Sequence, residues 1–386
     1  MRKRLIKGLA TTAILGTLLA TAACSAEETE APRGETTPEQ VDASAERLAV
    51  AMTDVVDWTG PTESFTPPSD VNLTIITCMS ALYGCLAPAQ AAQEAAEKLG
   101  WTVTINDGQG DPAVQNRLVE QAVAGGTDAI LTTAVDAAFI RSGLAAAKEA
   151  GVRVVSANQG TAPSEDGFDV DVTTDYAAMG SAEADWMIAD SDGTATVLPL
   201  IDREYEDIID YAEATVDTLE AECPGCTILP FEEFLGADVG NGLGARVVQL
   251  LQRNPDIDYI LGNYDPACAD IVAAVRSADL SDGVKMACTL GDPQNLEFIR
   301  DGEVEHAVVA IDLVYNGYAV VDQLGRLLAD VPLATRADTT DPKLMYNENA
   351  PFRIITPENI GELPDGTPWA ASVDYVAEYE TLWGLR

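Results

Sequence analysis

Between Val71 and Gly160 short apolar runs alternate with amphipathic ones, and this alternation restricts the fold more than any other feature of the chain. Leu73–Thr77, Thr102–Asn106, Ala129–Thr132 and Val152–Ala157 are short and nearly all apolar, the pattern of strands buried on both faces of a parallel sheet. Ala87–Leu99, Pro112–Ala124 and Ala137–Ala150 between them read as helices. A sheet of this kind collects ligands at the carboxyl ends of its strands. The exits here are Cys78–Tyr83, Asp107–Asp111, Thr133–Asp136 and Asn158–Thr161. The last two offer amides, hydroxyls and a carboxylate to a small polar solute.

The pattern repeats after Thr173. Strands are predicted at Ala195–Leu200, Thr227–Phe231, Tyr259–Asn263, Val284–Leu290 and His306–Asp312. Helices are predicted at Ala177–Ala189, Ile208–Ala221, Gly242–Arg253, Cys268–Ser277 and around Asn295–Asp301. A long helix, Tyr315–Ala329, and a last strand within Lys343–Thr356 follow. The fold class is therefore α/β, with two lobes that each hold a parallel sheet flanked by helices. The glycine-rich run Gly236–Gly244 lacks the Lys-Ser/Thr ending of a phosphate loop and reads as a loop entering a helix.

The front end points out of the cytoplasm. Arg2, Lys3, Arg4 and Lys7 precede the short apolar run Leu9–Ala20, so residues 1–23 read as a secretory signal too short for a membrane span. Leu19–Cys24 resembles a bacterial lipobox, which implies cleavage before Cys24 and lipid on its sulfur. Thr21 stands where such boxes usually carry Leu. Residues 24–70 read as a tether and arm, flexible over Ser25–Gln40, weakly helical over Val41–Val56 and punctuated by prolines over Trp58–Pro68.

With Cys24 set aside, six cysteines remain, an even number suited to disulfides in an exported chain. Fifteen pairings are open. The favoured one joins Cys78 to Cys85 across the loop after the first strand, Cys223 to Cys226 within a Cys-Pro-Gly-Cys turn, and Cys268 to Cys288 from a helix start to the next strand. A single histidine, His306, and no second Cys-x-x-Cys argue against a zinc site. Sixty-three acidic residues against 22 basic ones give a net charge of −41, which disfavours nucleic acid and anionic membrane as partners of the folded part. The acids are spread along the chain, so the total reflects the surface as a whole and leaves the charge of any cleft open.

Several local marks, in order and correctly spaced, resemble the type I periplasmic solute-binding proteins of the branch that includes ribose-binding protein. They are Glu97–Trp101, Asp111–Gln121, Val123–Leu131, Gly151–Val155, Asp265–Ala267, Gly291–Pro293 and Arg300–Gly302. The resemblance spans about Val71–Ile360. It implies two Rossmann-like lobes joined by three hinge crossovers, here 71–173 with 313–335 and 174–311 with 336–386. It also implies a monomer that closes on a small solute, a sugar or polyol, and delivers it to an ATP-driven permease, with no cofactor or metal. The first-lobe candidates are Ser80, Tyr83, Thr133, Asp136, Asn158 and Gln159; sugar binders of the family usually carry Asp and then Arg at the last two. In the second lobe the candidates are Asp210, where the family often has Arg, the strand-end cluster Asn263, Tyr264 and Asp265, then Asp292 and Asp312, with Asp238 in a segment able to reach the cleft.

If Asp210, Asp238, Asp265 and Asp292 all line one cleft, few cations answer them, which raises a cationic or amino-containing solute as the alternative ligand. A ligand sensor for a membrane kinase is a further alternative. Catalysis is not expected: no nucleophile–His pair, phosphate loop or metal cluster is visible, and His306 alone cannot form a triad.

Overall fold

The computed structural model describes residues 34–386. The leader, Cys24 and the first part of the tether lie outside the described residues.

The first element, α1 (Pro38–Ala51), starts in a capping box. Thr37 Oγ1 accepts from Gln40 N–H, and Gln40 Oε1 accepts from Thr37 N–H. The first lobe follows as β1 (Asn72–Thr77), α2 (Tyr83–Lys98), β2 (Thr102–Asp107), α3 (Pro112–Ala124), β3 (Ala129–Thr133), α4 (Arg141–Ala150), β4 (Arg153–Ala157) and β5 (Val170–Val172). Its sheet is wholly parallel in the order β2-β1-β3-β4-β5. Central β3 is buried at every residue, whereas edge strand β2 alternates exposed and half-buried positions. Burial on both faces is what the continuous apolar runs require.

The second lobe contains α5 (Tyr176–Asp190), β6 (Thr196–Asp202), α6 (Glu206–Glu222), β7 (Thr227–Ile228), β8 (Glu232–Phe234), α7 (Leu243–Arg253), β9 (Tyr259–Leu261), α8 (Asp265–Ser277), β10 (Lys285–Leu290), α9 (Pro293–Asp301) and β11 (Glu305–Ile311). Helix α10 (Leu313–Leu328) then returns to the first lobe, and β12 (Phe352–Ile355) closes the second sheet antiparallel to β11. That sheet runs β12-β11-β10-β9-β6-β7, with β8 also paired to β6. The predicted strand within Lys343–Thr356 is thus confined to its last part.

Three crossovers join the lobes, at 173–175, at Asp312 and through 329–351. Helix α10 packs closely on α2. A Cβ at Gly317 would lie 2.5 Å from Ala91 Cβ and 2.7 Å from Pro88 O, so only glycine allows this approach. The chain passes between the lobes twice more. Helix α11 (Tyr375–Leu382) follows β12 back to the first lobe, where Tyr375, Tyr379, Leu382 and Trp383 join its core. Residues 336–386 therefore divide between the lobes. Their aromatic face finds its apolar partners on α10, where Tyr318 and Trp383 stack at 6.1 Å.

Residues 34–68 are a packed strap. Thr36 Oγ1 donates to Gly193 O at 2.8 Å, and Arg47 forks onto Asp185 of α5, fixing α1 to the second lobe. Trp58 meets Tyr379 edge-on at 5.1 Å, and Phe65 N–H donates to Leu382 O at 2.9 Å, fixing the far end to the first. The six cysteines approach in the favoured pairs, Cys78 with Cys85, Cys223 with Cys226 and Cys268 with Cys288. Their Cα separations are 5.7, 5.3 and 6.6 Å, within reach of a disulfide.

Candidate functional site

The carboxyl ends of the parallel strands of both sheets face each other across a cavity of about 490 Å³. The first lobe contributes Met79 from the loop after β1, Asp136 and Phe139 from the loop after β3, and Asn158 from the end of β4. The second contributes Tyr176 at the start of α5, Glu204 and Tyr205 between β6 and α6, Asp207 in the first turn of α6, Tyr264 before α8, and Leu290 at the end of β10. Strand exits, where open α/β sheets collect ligands, thus wall the cavity on both sides.

Asn158 is the central polar group of the first-lobe wall. It follows β4 with φ +59°, a left-handed conformation that asparagine tolerates better than most residues. Its side chain is 4% exposed, and its Oδ1 accepts from Asn316 Nδ2 of α10 at 2.6 Å. Its own Nδ2 has no partner among the described residues. On the opposite wall Tyr264 donates through its hydroxyl to Asp202 Oδ2 at 2.9 Å, and its ring meets Tyr205 edge-on at 6.3 Å. Glu204 Oε2 accepts from Gly236 N–H at 2.8 Å, which fixes the loop after β8 against the cavity. Burial pushes the Asp207 carboxyl up to about 7, with Asp171 and Asp210 adding repulsion. Burial likewise lifts Asp202 to about 6.

Of the residues predicted from sequence, Asp136, Asn158 and Tyr264 meet at this cavity. The others stand elsewhere. Ser80 turns to Thr77 Oγ1 and, through its N–H, to Asp107. Thr133 donates to Cys85 O at 2.7 Å and braces the first turn of α2. Tyr83 is half-buried between the lobes, its hydroxyl pushed up to about 12 by burial and by Asp292 and Asp312. Gln159 is buried with both amide atoms unpartnered, just beyond the lining. Asp210 pairs with Lys343 on the interlobe surface, and Asp238 with Arg246.

Two of the second-lobe carboxylates and one amide hold backbone in place. Asn263 Oδ1 accepts from Asp202 N–H at 3.1 Å. Asp265 accepts from the N–H groups of Gly291 and Asp292. Asp312 caps α10 through Tyr315 N–H at 2.9 Å and binds Ala371 N–H at 2.9 Å. Asp292 starts α9, lifted by burial to about 6. Tyr176, Glu204, Tyr205, Asp207 and Phe139 line the cavity without having been singled out in the sequence. The only signal for them was their place just after a strand or at a helix start.

Asp265, Glu305 and Cys288 also approach one another inside the second lobe. Cys288 is engaged with Cys268, so two carboxylates remain, and Glu305 Oε2 already accepts from Asn295 at 2.7 Å. This donor set does not make a convincing metal site.

The periplasmic binding protein domain model matches residues 85–330. The chain belongs to the periplasmic binding protein family. The ABC transporter periplasmic-binding protein YphF of Escherichia coli K12 is 24% identical over 273 residues, covering 66% of this chain and 82% of that protein. Among solved structures, the substrate-binding protein of a sugar ABC transport system from Bordetella parapertussis superposes with a TM-score of 0.66 at 19% identity, covering 82% of this chain and 96% of its own. A solute-binding protein from Agrobacterium vitis with bound allitol superposes with a TM-score of 0.65 at 18% identity, covering 76% and 98%. At these identities the structural likeness speaks for the fold. For this periplasmic binding protein, the cavity between strand exits is accordingly the candidate ligand cleft.

Proposed function

We propose that this protein is an extracytoplasmic receptor that captures a small polar solute between its lobes and hands it to an ATP-driven importer. The observation that carries this reading is the cavity walled by strand exits of both lobes, with Asn158 on one side and Tyr264 on the other. Hinge closure around such a site couples occupancy to shape. A sugar or polyol is the favoured solute, supported by the amide and carboxylate groups of the cleft and by relatives solved with allitol or described as sugar-binding. Lipid on Cys24 would hold the receptor, a monomer with three oxidised cysteine pairs, beside its permease. Its role is binding, and the cleft residues are assigned to recognition.

Thermal shifts of residues 25–386 against sugars, polyols, polyamines, betaines and amino acids test this. A ligand specific to the folded form stabilises it by about 2.7 kcal/mol at a hundredfold excess over Kd. A saturable shift with a small solute is expected. No shift across the panel would count against the receptor reading.

A further inference from the structure

The charge of the cleft narrows its ligand. Asp136 reaches the cavity from the loop after β3, and Glu204 and Asp207 reach it from the turn into α6 and that helix's first turn; no Lys, Arg or His lines it among the described residues. The basic side chains nearby in the chain are already engaged. Arg203 pairs with Glu213 at 3.0 Å and Glu233 at 2.9 Å, Arg246 with Glu232 at 3.1 Å, and Lys343 with Asp210. Just behind the wall, buried Asp202 adds a further carboxylate, held by the Tyr264 hydroxyl.

Two independent features point to the rest of the ligand. Asn158, 4% exposed, presents an unpartnered Nδ2 on the first-lobe wall, while its Oδ1 is taken by Asn316. A buried amide donor without a partner costs stability unless something fills it. A hydroxyl or ring oxygen accepts such a bond, and an ammonium does not. The Tyr205 and Tyr264 rings lie on the carboxylate side, where aromatic faces attract a cation. A buried carboxylate such as Asp207 is costly without a positive partner, and a bound ammonium supplies one.

We propose that the cleft selects a cationic polyhydroxylated solute, an amine-bearing sugar or polyol, with the ammonium between Glu204 and Asp207 and an oxygen of the carbon chain on Asn158 Nδ2. This rests on the receptor reading above and refines its ligand. A neutral sugar uses the amide but leaves the carboxylates unanswered, and a simple polyamine does the reverse.

The test is titration calorimetry of residues 25–386 at pH 7.5 with matched pairs, N-methyl-D-glucamine against D-glucitol and D-glucosamine against D-glucose, beside a panel of neutral sugars and polyols. The amine of at least one pair is expected to bind tenfold or more tighter than its neutral partner. Glu204→Gln and Asp207→Asn should each erase most of that preference, with circular dichroism melts confirming that both variants fold. Should Asp207→Asn fail to fold, Glu204→Gln, at a half-exposed position, decides alone. Equal or tighter binding of the neutral partners, or binding only by neutral members of the panel, overturns the charge selection and leaves the receptor standing. Silence from every compound overturns both.

Discussion

Gly160 lies directly against Asp207: a Cβ on Gly160 would come within 2.9 Å of Asp207 Cβ and of its backbone nitrogen. The glycine follows β4 in the first lobe, and the aspartate is in the first turn of α6 in the second. The lobes therefore touch beside the cleft where one of them has no side chain. Gly160→Ala should hold them apart and also strain a backbone at φ +71°. Ligand affinity should fall tenfold or more, and small-angle scattering with saturating ligand should show a larger radius than the parent protein. Unchanged affinity and radius would mean that this contact does not limit closure.

Asn316 positions the cleft amide from outside the cleft. Its Nδ2 donates to Asn158 Oδ1 at 2.6 Å and reaches Thr174 Oγ1 at 3.3 Å. Asn316→Ala leaves Asn158 free to turn and strands a buried acceptor, which costs about 1–3 kcal/mol. Calorimetry should show roughly tenfold weaker ligand binding, with a melting point a few degrees lower. A variant that melts lower yet binds normally would make Asn316 purely structural.

The architecture was legible because both signals that specify it are local. Continuous apolar runs mark strands buried on two faces, and 3.6-residue periodicity marks the helices between them. The candidate site was legible only where chemistry sits on the strand exit itself, as with the cavity-lining Asn158, Asp136 and Tyr264. Glu204, Tyr205 and Asp207 were not singled out, because the conformation of the turn into α6 decides which side chain faces inward. The converse holds for Asp265 and Asp312. Asp312 binds the N–H of Ala371, 59 residues away, and a sequence cannot distinguish an aspartate that holds remote backbone from one that holds a ligand. The strap escaped for a similar reason. Helix α1 buries little apolar surface, and polar contacts from Thr36 and Arg47 hold it in place.

Buried carboxylates should make this fold acid-tolerant. Burial pushes Glu183 up to about 8, Asp207 to about 7, and Asp171 and Asp312 to about 6. In the unfolded chain such groups titrate near 4. Between these limits the folded state binds more protons than the unfolded one, so stability falls as pH rises from about 4 to 8. Their favourable contribution is complete below the unfolded values and is lost on passing through the folded ones. Melting temperatures should therefore be higher at pH 5.5 than at pH 8, by about 2–3 °C per pH unit for each proton involved. Glu183→Gln, which keeps an acceptor for the Tyr211 hydroxyl, should flatten the upper part of that slope. A melting point that rises with pH would contradict the upward shifts of these groups.

Trp58 secures the end of the strap that meets the first lobe. Its ring packs edge-on to Tyr379 at 5.1 Å and lies 6.0 Å from Tyr315, and its Nε1 donates to Pro61 O at 2.9 Å. Both tyrosines belong to the cluster that joins α10 to α11, so the indole ties the strap to the helix entered from the Asp312 crossover. Trp58→Ala removes this contact and opens a gap beside Gly60, whose position directly faces the indole. The ring is only half-buried, so the loss should be about 2 kcal/mol, below the range for a fully buried tryptophan. Trp58 does not line the cavity, so ligand affinity should stay within about twofold, a range well inside one kcal/mol. Limited proteolysis should cut faster within residues 52–70, since that segment would lose its apolar anchor while α1 stays fixed through Arg47. A variant with the parent melting point and cleavage pattern would show that the strap lies outside the cooperative folding unit; one with much weaker ligand binding would show that it takes part in closure.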